Sequence, residues 1–368
     1  MRDWWGEVLH NLSLDFGKFR VYNFKVQESL NFLSVMATDK LTAPRPAYRP
    51  PLYKQLLGIQ EIGVIVAIVV FFTAFEMVDK SMGQAANLQT MALQGSMIGL
   101  AAFGMSFLMI VGEIDLSAGA VAGMTAAIVG ILRANLGWPE LVCYATALVA
   151  AALVGLVNAF VVLRVRMPSF FATLGASFLV SGLGIWLLKG AWISMGDQIP
   201  VAMWWVSTSP VLGLPWIFLV LLPAYIIGDL LIRFTKLGPT LTAVGGNRQA
   251  AEIVGMNVPL VKTLCFMFVS VCAGLAGIAV MGYGTITDAY IGSDWMLWII
   301  AIAIIGGGSL RGGVGSIIGA LLGTCLIEII RTGLFNAQVK TNAQGIVIGG
   351  VLIGAAILDI IRRKSAQY

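Results

Sequence analysis

The sequence predicts an all-α protein that crosses a membrane about ten times. Three observations carry that reading. Of 368 residues, 58% are hydrophobic and 11% charged, whereas an ordinary soluble domain carries about 25% charged residues. Mean hydropathy is +0.90, and a soluble fold of this size still leaves a large surface that water must wet. Second, the apolar residues fall into runs close to the roughly 20 residues that a helix needs to cross hydrocarbon. Third, lysine and arginine concentrate between alternate runs, as the positive-inside rule requires of cytoplasmic connections.

In order, the runs lie at about 60–77, 90–111, 116–133, 141–163, 169–188, 215–234, 262–283, 295–308, 315–333 and 344–361. The eighth is short for a full crossing. The third follows the second almost without a loop, the pattern of a broken or re-entrant span. With both termini inside, 18 of the 23 basic residues are cytoplasmic; Lys80, Arg133, Lys189, Arg331 and Lys340 fall outside. Residues 1–55 read as a cytoplasmic N-terminal extension and 56–368 as the transmembrane domain. The extension lacks the pattern of a secretory signal. Trp4, Trp5, Val8, Leu9 and Leu12 suit an amphipathic helix on the membrane surface, and a poorly ordered cytoplasmic tail is the equal alternative. Pro44, Pro46, Pro50 and Pro51 make a semi-extended linker into the first span.

Glycine is abundant, with 43 residues, and pairs such as Gly95/Gly99, Gly119/Gly123 and Gly319/Gly323 are spaced by four. That spacing lets membrane helices approach closely. Cys143, Cys265, Cys272 and Cys325 stand singly in apolar runs, with no disulfide or metal spacing. The net charge of +5 is spread along the chain and outlines no nucleic-acid surface.

Three segments interrupt the apolar pattern. The first runs from Gly112 to Gly119 and holds Glu113, Asp115 and Ser117. Carboxylates at such a depth need partners or water. Asp115 and Ser117 read either as caps of the third helix or as substrate contacts, whereas Glu113, which no cap requires, reads as facing a water-filled path. The second begins at Leu237-Gly238-Pro239-Thr240 and ends at Asn257; within it, 248–254 reads as a short helix ended by Gly255. It is either a dock for a soluble partner or a connector. The third, 306–315, is glycine-rich but lacks the Lys-Ser/Thr of a phosphate-binding loop, and no such loop occurs in the chain.

Together these segments resemble the membrane permeases of bacterial ABC sugar importers, the ribose, xylose and galactose branch, which are related to the branched-chain amino-acid permeases. The family's Gly-Gly-Ile-Asp-Leu-Ser-x-Gly parallels 112–119. Its Ala-x-Gly-Gly-Asn, followed by a short helix and Gly-x-Asn-Val, parallels Ala243, Gly245, Gly246, Asn247, Gly255, Asn257 and Val258. Its late glycine pattern parallels Gly307, Ser309, Leu310, Gly312, Gly313 and Gly315, and its Pro-x-Phe-x-Ala-Thr-Leu-Gly looks like Pro168, Phe170, Ala172, Thr173, Leu174 and Gly175. The resemblance covers about 60–361. Two positions depart from it: Pro239 stands where a basic or small residue is usual, and Glu113 replaces a glycine, as in nucleoside and branched-chain amino-acid permeases, which keeps those substrates open.

The resemblance implies a type II importer-like permease bundle and no catalytic or metal residues. The path for a monosaccharide or polyol would be lined near Glu113, Asp115, Ser117, Phe170, Phe171 and Thr173. Asn247, Arg248, Gln249, Ala250, Ala251, Glu252 and Gly255 would dock the ATPase. The implied partners are a second permease, a homodimer being the favoured pairing, a cytoplasmic ABC ATPase such as a tandem nucleotide-binding protein, a periplasmic or lipid-anchored binding protein, and lipid. The implied location is the bacterial inner membrane. No cofactor would bind this chain, and ATP and Mg would be used by the ATPase. The competing class is an ion-coupled secondary carrier, which the scarcity of acids in the central spans disfavours.

Overall fold

The computed structural model describes residues 60–195, 206, 208, 213–284, 286–339, 345–347, 349–350 and 353–354. The N-terminal extension and most of the tenth expected span lie outside these residues. The helices are α1 (Gln60–Val78), α2 (Ala85–Ile110), α3 (Ala118–Gly130), α4 (Glu140–Leu163), α5 (Ser169–Leu187), α6 (Trp216–Phe234), α7 (Leu237–Gly246), α8 (Arg248–Ile253), α9 (Val258–Gly284), α10 (Trp295–Ile305) and α11 (Ile317–Asn336). Among the described residues eight helical stretches are long and apolar enough to cross a membrane, α3 being counted with its π-helical continuation to Asn135, and α10 is a shorter apolar helix. The first nine expected runs therefore each correspond to a helix. One stretch differs: 237–246, read as irregular, is helical, because Pro239 sits in the first turn of α7, where its missing N–H costs nothing.

Local chemistry sets several starts. Pro139, Pro168 and Pro215 immediately precede α4, α5 and α6, with φ of −57°, −54° and −63°. Proline holds φ near that value and removes an N–H that a helix start would leave unpaired. α3 is short because its last turn relaxes into a π-helical segment, Ile131–Asn135.

α2 and α9 form the centre of the bundle, with buried residues along most of their lengths. Their approach depends on glycine: a Cβ on Gly104 of α2 would lie 2.7 Å from the Val269 Cα of α9. Gly95 and Gly99 let α2 meet Glu328 and Thr324 of α11, and Gly323 faces the Ile302 carbonyl of α10. α6 is tied in by Tyr225, whose hydroxyl donates to the Gly99 carbonyl at 2.8 Å, and whose ring lies 4.9 Å from that of Phe103.

The short eighth run has a physical explanation. β2 (Ile286–Thr287) pairs antiparallel with β1 (Ile193–Ser194). The chain then passes non-helically along α3, bringing the Ala289 and Gly292 carbonyls against Gly123 and Gly119. Only then does α10 begin. Part of that crossing is thus non-helical backbone, tolerated at depth when protein covers it.

Connections assigned to one side by charge also meet in space. Gly312 packs against both Gly112 and Gly245, and the Ser169 hydroxyl and Thr173 Oγ1 accept the N–H groups of Ile114 and Leu116. At the other end, β1 pairs with β2, and Asn336 Nδ2 donates to Ser81 Oγ at 3.4 Å.

Candidate functional site

The three irregular segments converge. The Gly313 N–H donates to the Ile110 carbonyl at 2.8 Å. A Cβ on Gly312 would lie 2.6 Å from Gly112 Cα, and one on Gly313 2.9 Å from Gly246 Cα. Gly312 and Gly313 each have φ +78°, a conformation that L side chains rarely adopt. What the sequence presents as three distant motifs is therefore one joint of bare backbone.

Around this joint lies a polar layer. Asp115 Oδ1 accepts the Ser117 N–H at 2.7 Å and the Ser117 hydroxyl at 2.5 Å. This is an Asx turn leading into α3, and the Ser117 side chain makes no capping bond to the helix. Neither residue therefore caps α3 in the expected way. Asn158 of α4 donates to Ser117 Oγ at 2.9 Å. Thr173 Oγ1 accepts the Leu116 N–H at 3.0 Å and donates to the Ser169 carbonyl at 2.7 Å. Asp115, Ser117, Asn158 and Thr173 are all buried. Their geometry holds the 111–117 backbone and presents no polar group to the surface of one copy.

Glu113 pairs with Lys262 of α9, Nζ to Oε1 at 2.6 Å, with side chains only 9% and 13% exposed for Lys262 and Glu113. Lys262, the first residue of the seventh expected run, lies inside α9 and is buried, with Glu113 balancing its charge. Phe170 and Phe171 stand apart from this layer, 50% and 63% exposed, their rings edge to face at 5.4 Å.

The predicted short helix is α8. The Asn247 side chain caps it by accepting the Ala250 N–H at 3.0 Å. Gly255, at φ +84°, ends it and donates its N–H to the Glu252 carbonyl. Arg248 and Glu252 form an exposed ion pair at 2.9 Å, Gln249 and Ala250 are exposed, and buried Ala251 anchors the helix. Beyond it Ile253 and Val254 are 85% and 70% exposed.

Sequence reasoning missed Asn158, Ser169, Ile253 and Val254 as site residues. Asn158 carried a signal, as an amide alone in a 24-residue apolar helix. Among the described residues no group of three His, Cys, Asp or Glu side chains is placed to hold a metal.

A helical bundle whose glycine-rich connections lock together at one end, beside a capped surface helix, fits a multi-pass membrane permease. The model of the family described as branched-chain amino acid transport system / permease component matches residues 87–356, and the chain belongs to that family. It is 30% identical to the autoinducer 2 import system permease protein of Photorhabdus laumondii over 312 residues, 83% of this chain and 91% of the relative. Identity to the ribose import permease protein of Escherichia coli K12 is 30% over 278 residues, 74% and 85% of the two chains. The L-arabinose ABC transporter permease protein of Azospirillum brasilense is 26% identical over 309 residues, 84% and 90%.

Proposed function

We propose that this chain is the membrane-spanning subunit of an ATP-binding cassette importer that moves a monosaccharide or related polyol into the cytoplasm of a bacterium. The observation that carries the reading is the joint: the capped, exposed helix α8 is continuous with glycine segments locked to the 111–117 loop. A push on α8 is thereby delivered to the end of α2 and the turn into α3. The relatives named for ribose, arabinose and autoinducer 2 support a sugar-like cargo.

In this reading both termini face the cytoplasm, and a cytoplasmic ATPase, carrying its own ATP and Mg, docks on Asn247, Arg248, Gln249, Ala250, Ala251, Glu252 and Gly255, with Ile253 and Val254 entering its groove. Two permeases pair, identical copies being the simplest arrangement, and a binding protein outside the inner membrane delivers the sugar. Phe170 and Phe171 offer faces on which a sugar ring stacks. Glu113, Asp115, Ser117 and Thr173 act on the path through the loop they hold. ATP binding biases the bundle between inward-open and outward-open states only as far as the docked partner distinguishes them.

The test is uptake of labelled pentoses and hexoses into proteoliposomes holding the permease, the ATPase and the binding protein. ATP-dependent uptake that vanadate blocks and ionophores leave intact is expected. Uptake driven by an ion gradient without ATP would refute the proposal.

A further inference from the structure

At the end of the bundle opposite α8, α5 stops at Leu187 and α9 at Gly284, and their continuations pair as β1 and β2. Beside this hairpin lies a recess of about 120 Å³, lined by Trp192, Asp288 and Tyr290 together with Ile185, Gly190 and Ala191. Ile185 belongs to the last turn of the α5 span, so the recess straddles the level where hydrocarbon gives way to water. Trp192 and Tyr290 are 64% and 62% exposed, and both are residue types that collect at lipid headgroups. A belt of aromatic rings needs no carboxylate, yet Asp288 shares the recess. It is half-buried, and its Oδ1 accepts the Tyr290 N–H at 3.0 Å. Asp288 forms no ion pair among the described residues. Lys189, which immediately precedes the wall residue Gly190, is exposed and is likewise in no ion pair among them.

We propose that this recess binds the headgroup of a zwitterionic aminophospholipid, its primary ammonium donating to Asp288 beside the Trp192 and Tyr290 rings. The wall selects that chemistry. The N–H groups of Gly190, Ala191 and Tyr290 are already spent on the Ile185 carbonyl, the Leu188 carbonyl and Asp288. The charged group left to a ligand is an acceptor beside two aromatic rings, which suits a cation that only donates. A sugar must also accept hydrogen bonds and is poorly served, so the site is separate from the proposed sugar route. An anionic headgroup would meet the carboxylate, and a quaternary ammonium has no N–H to give it. Pockets that enclose a whole ligand run to about 300–1,000 Å³. This recess takes a small head whose remainder lies outside, as acyl tails do in the bilayer. The lipid phosphate supplies the counter-charge that Lys189 lacks. A basic side chain of a partner protein shares the cationic chemistry, but the recess reaches down beside the last turn of a span, at headgroup depth.

The full-length permease is stripped of lipid in detergent and titrated with phosphatidylethanolamine, its N-methylated forms, phosphatidylcholine and phosphatidylglycerol. Bound lipid is counted by native mass spectrometry. Phosphatidylethanolamine should bind at least about tenfold more tightly than phosphatidylcholine, the scale of one hydrogen bond to a charged group. Asp288→Asn, which keeps the Oδ1 that holds the turn, should remove that preference. Trp192→Leu should weaken phosphatidylethanolamine binding about threefold, the scale of an exposed cation–π contact. Lys189→Asn, a residue type that tolerates the positive φ of this position, should weaken phosphatidylethanolamine and phosphatidylcholine alike. If Asp288→Asn fails to fold, the methylation series on the unaltered protein still decides. The proposal is overturned if affinity is flat across that series, if phosphatidylglycerol binds as tightly, or if Asp288→Asn retains the preference. It is overturned too if Asp288→Asn leaves lipid binding intact and instead weakens the hold of a binding protein, which assigns the recess to a protein cation. The lipid titrations involve no ATP-driven uptake, so the site and the importer reading stand or fall separately.

Discussion

Replacing Glu113 by Gln removes one half of the pair with Lys262 and leaves the ammonium without a counter-charge. The side chains are 9% and 13% exposed for Lys262 and Glu113, and Nζ and Oε1 are 2.6 Å apart. Breaking a buried pair from one side costs about 3–5 kcal/mol, because the remaining charge stays desolvated. The small residual exposure places this case near the lower end, about 3 kcal/mol. Lys262→Met should cost a similar amount by stranding the carboxylate. The double variant, with neither charge, should recover most of the loss, since replacing both partners removes the desolvation penalty too. A double-mutant cycle on purified protein in detergent, followed by thermal unfolding, reads this directly. Each single variant should lower the Tm by at least about 5 °C, and the coupling between the two should be about 2 kcal/mol or more. Single effects below about 1 kcal/mol that simply add would refute the view that the pair pins the 111–117 loop to α9.

Other outcomes follow from the same geometry. Gly245→Ala would drive a Cβ into the Ile110 carbonyl oxygen, so the bundle should lose monodispersity in fluorescence-detected size exclusion, whereas Gly175→Ala, with open space around it, should not. Asn158→Leu removes the donor to Ser117 Oγ and should cost about 1–3 kcal/mol in the same melting assay. Val254→Asp places a charge on an exposed aliphatic of the α8 tip; the permease should fold normally yet lose co-purification with its ATPase, and intact co-purification would remove this tip from the interface. Phe171→Ala should reduce sugar uptake while leaving the melting temperature unchanged, because the ring is 63% exposed in one copy.

How much was legible in the sequence differs between fold and site. The apolar runs located the spans well because an apolar side chain inside a membrane helix has one requirement, its length of run. α7 escaped because Gly238, Pro239, Gly245 and Gly246 are read as breakers, yet each lies in the helix: Pro239 is harmless in a first turn, and the glycines serve contacts with other segments. α8 was legible because its cap and terminator, Asn247 and Gly255, are local signals. The polar layer was only half legible. Asp115 and Ser117 stood out together, but their partner Asn158 lies on α4, 41 positions from Ser117, and nothing in the chain order pairs Glu113 with Lys262 across 149 positions. The exposure of Phe170 and Phe171 was likewise invisible, since an apolar span has no local mark separating a lipid- or partner-facing side from a core-facing one.

The joint of Gly112, Gly245, Gly246, Gly312 and Gly313 has a mechanical consequence. Where side chains interlock, a displacement is partly taken up as they swing between rotamers. Here main chain rests on main chain, and the dimensions are those of peptide units, which do not yield. A shift of a fraction of an ångström at the end of α7 therefore arrives undiminished at the turn between α2 and α3. With no side chains between them, the main-chain contacts carry a displacement across directly, a linkage without backlash.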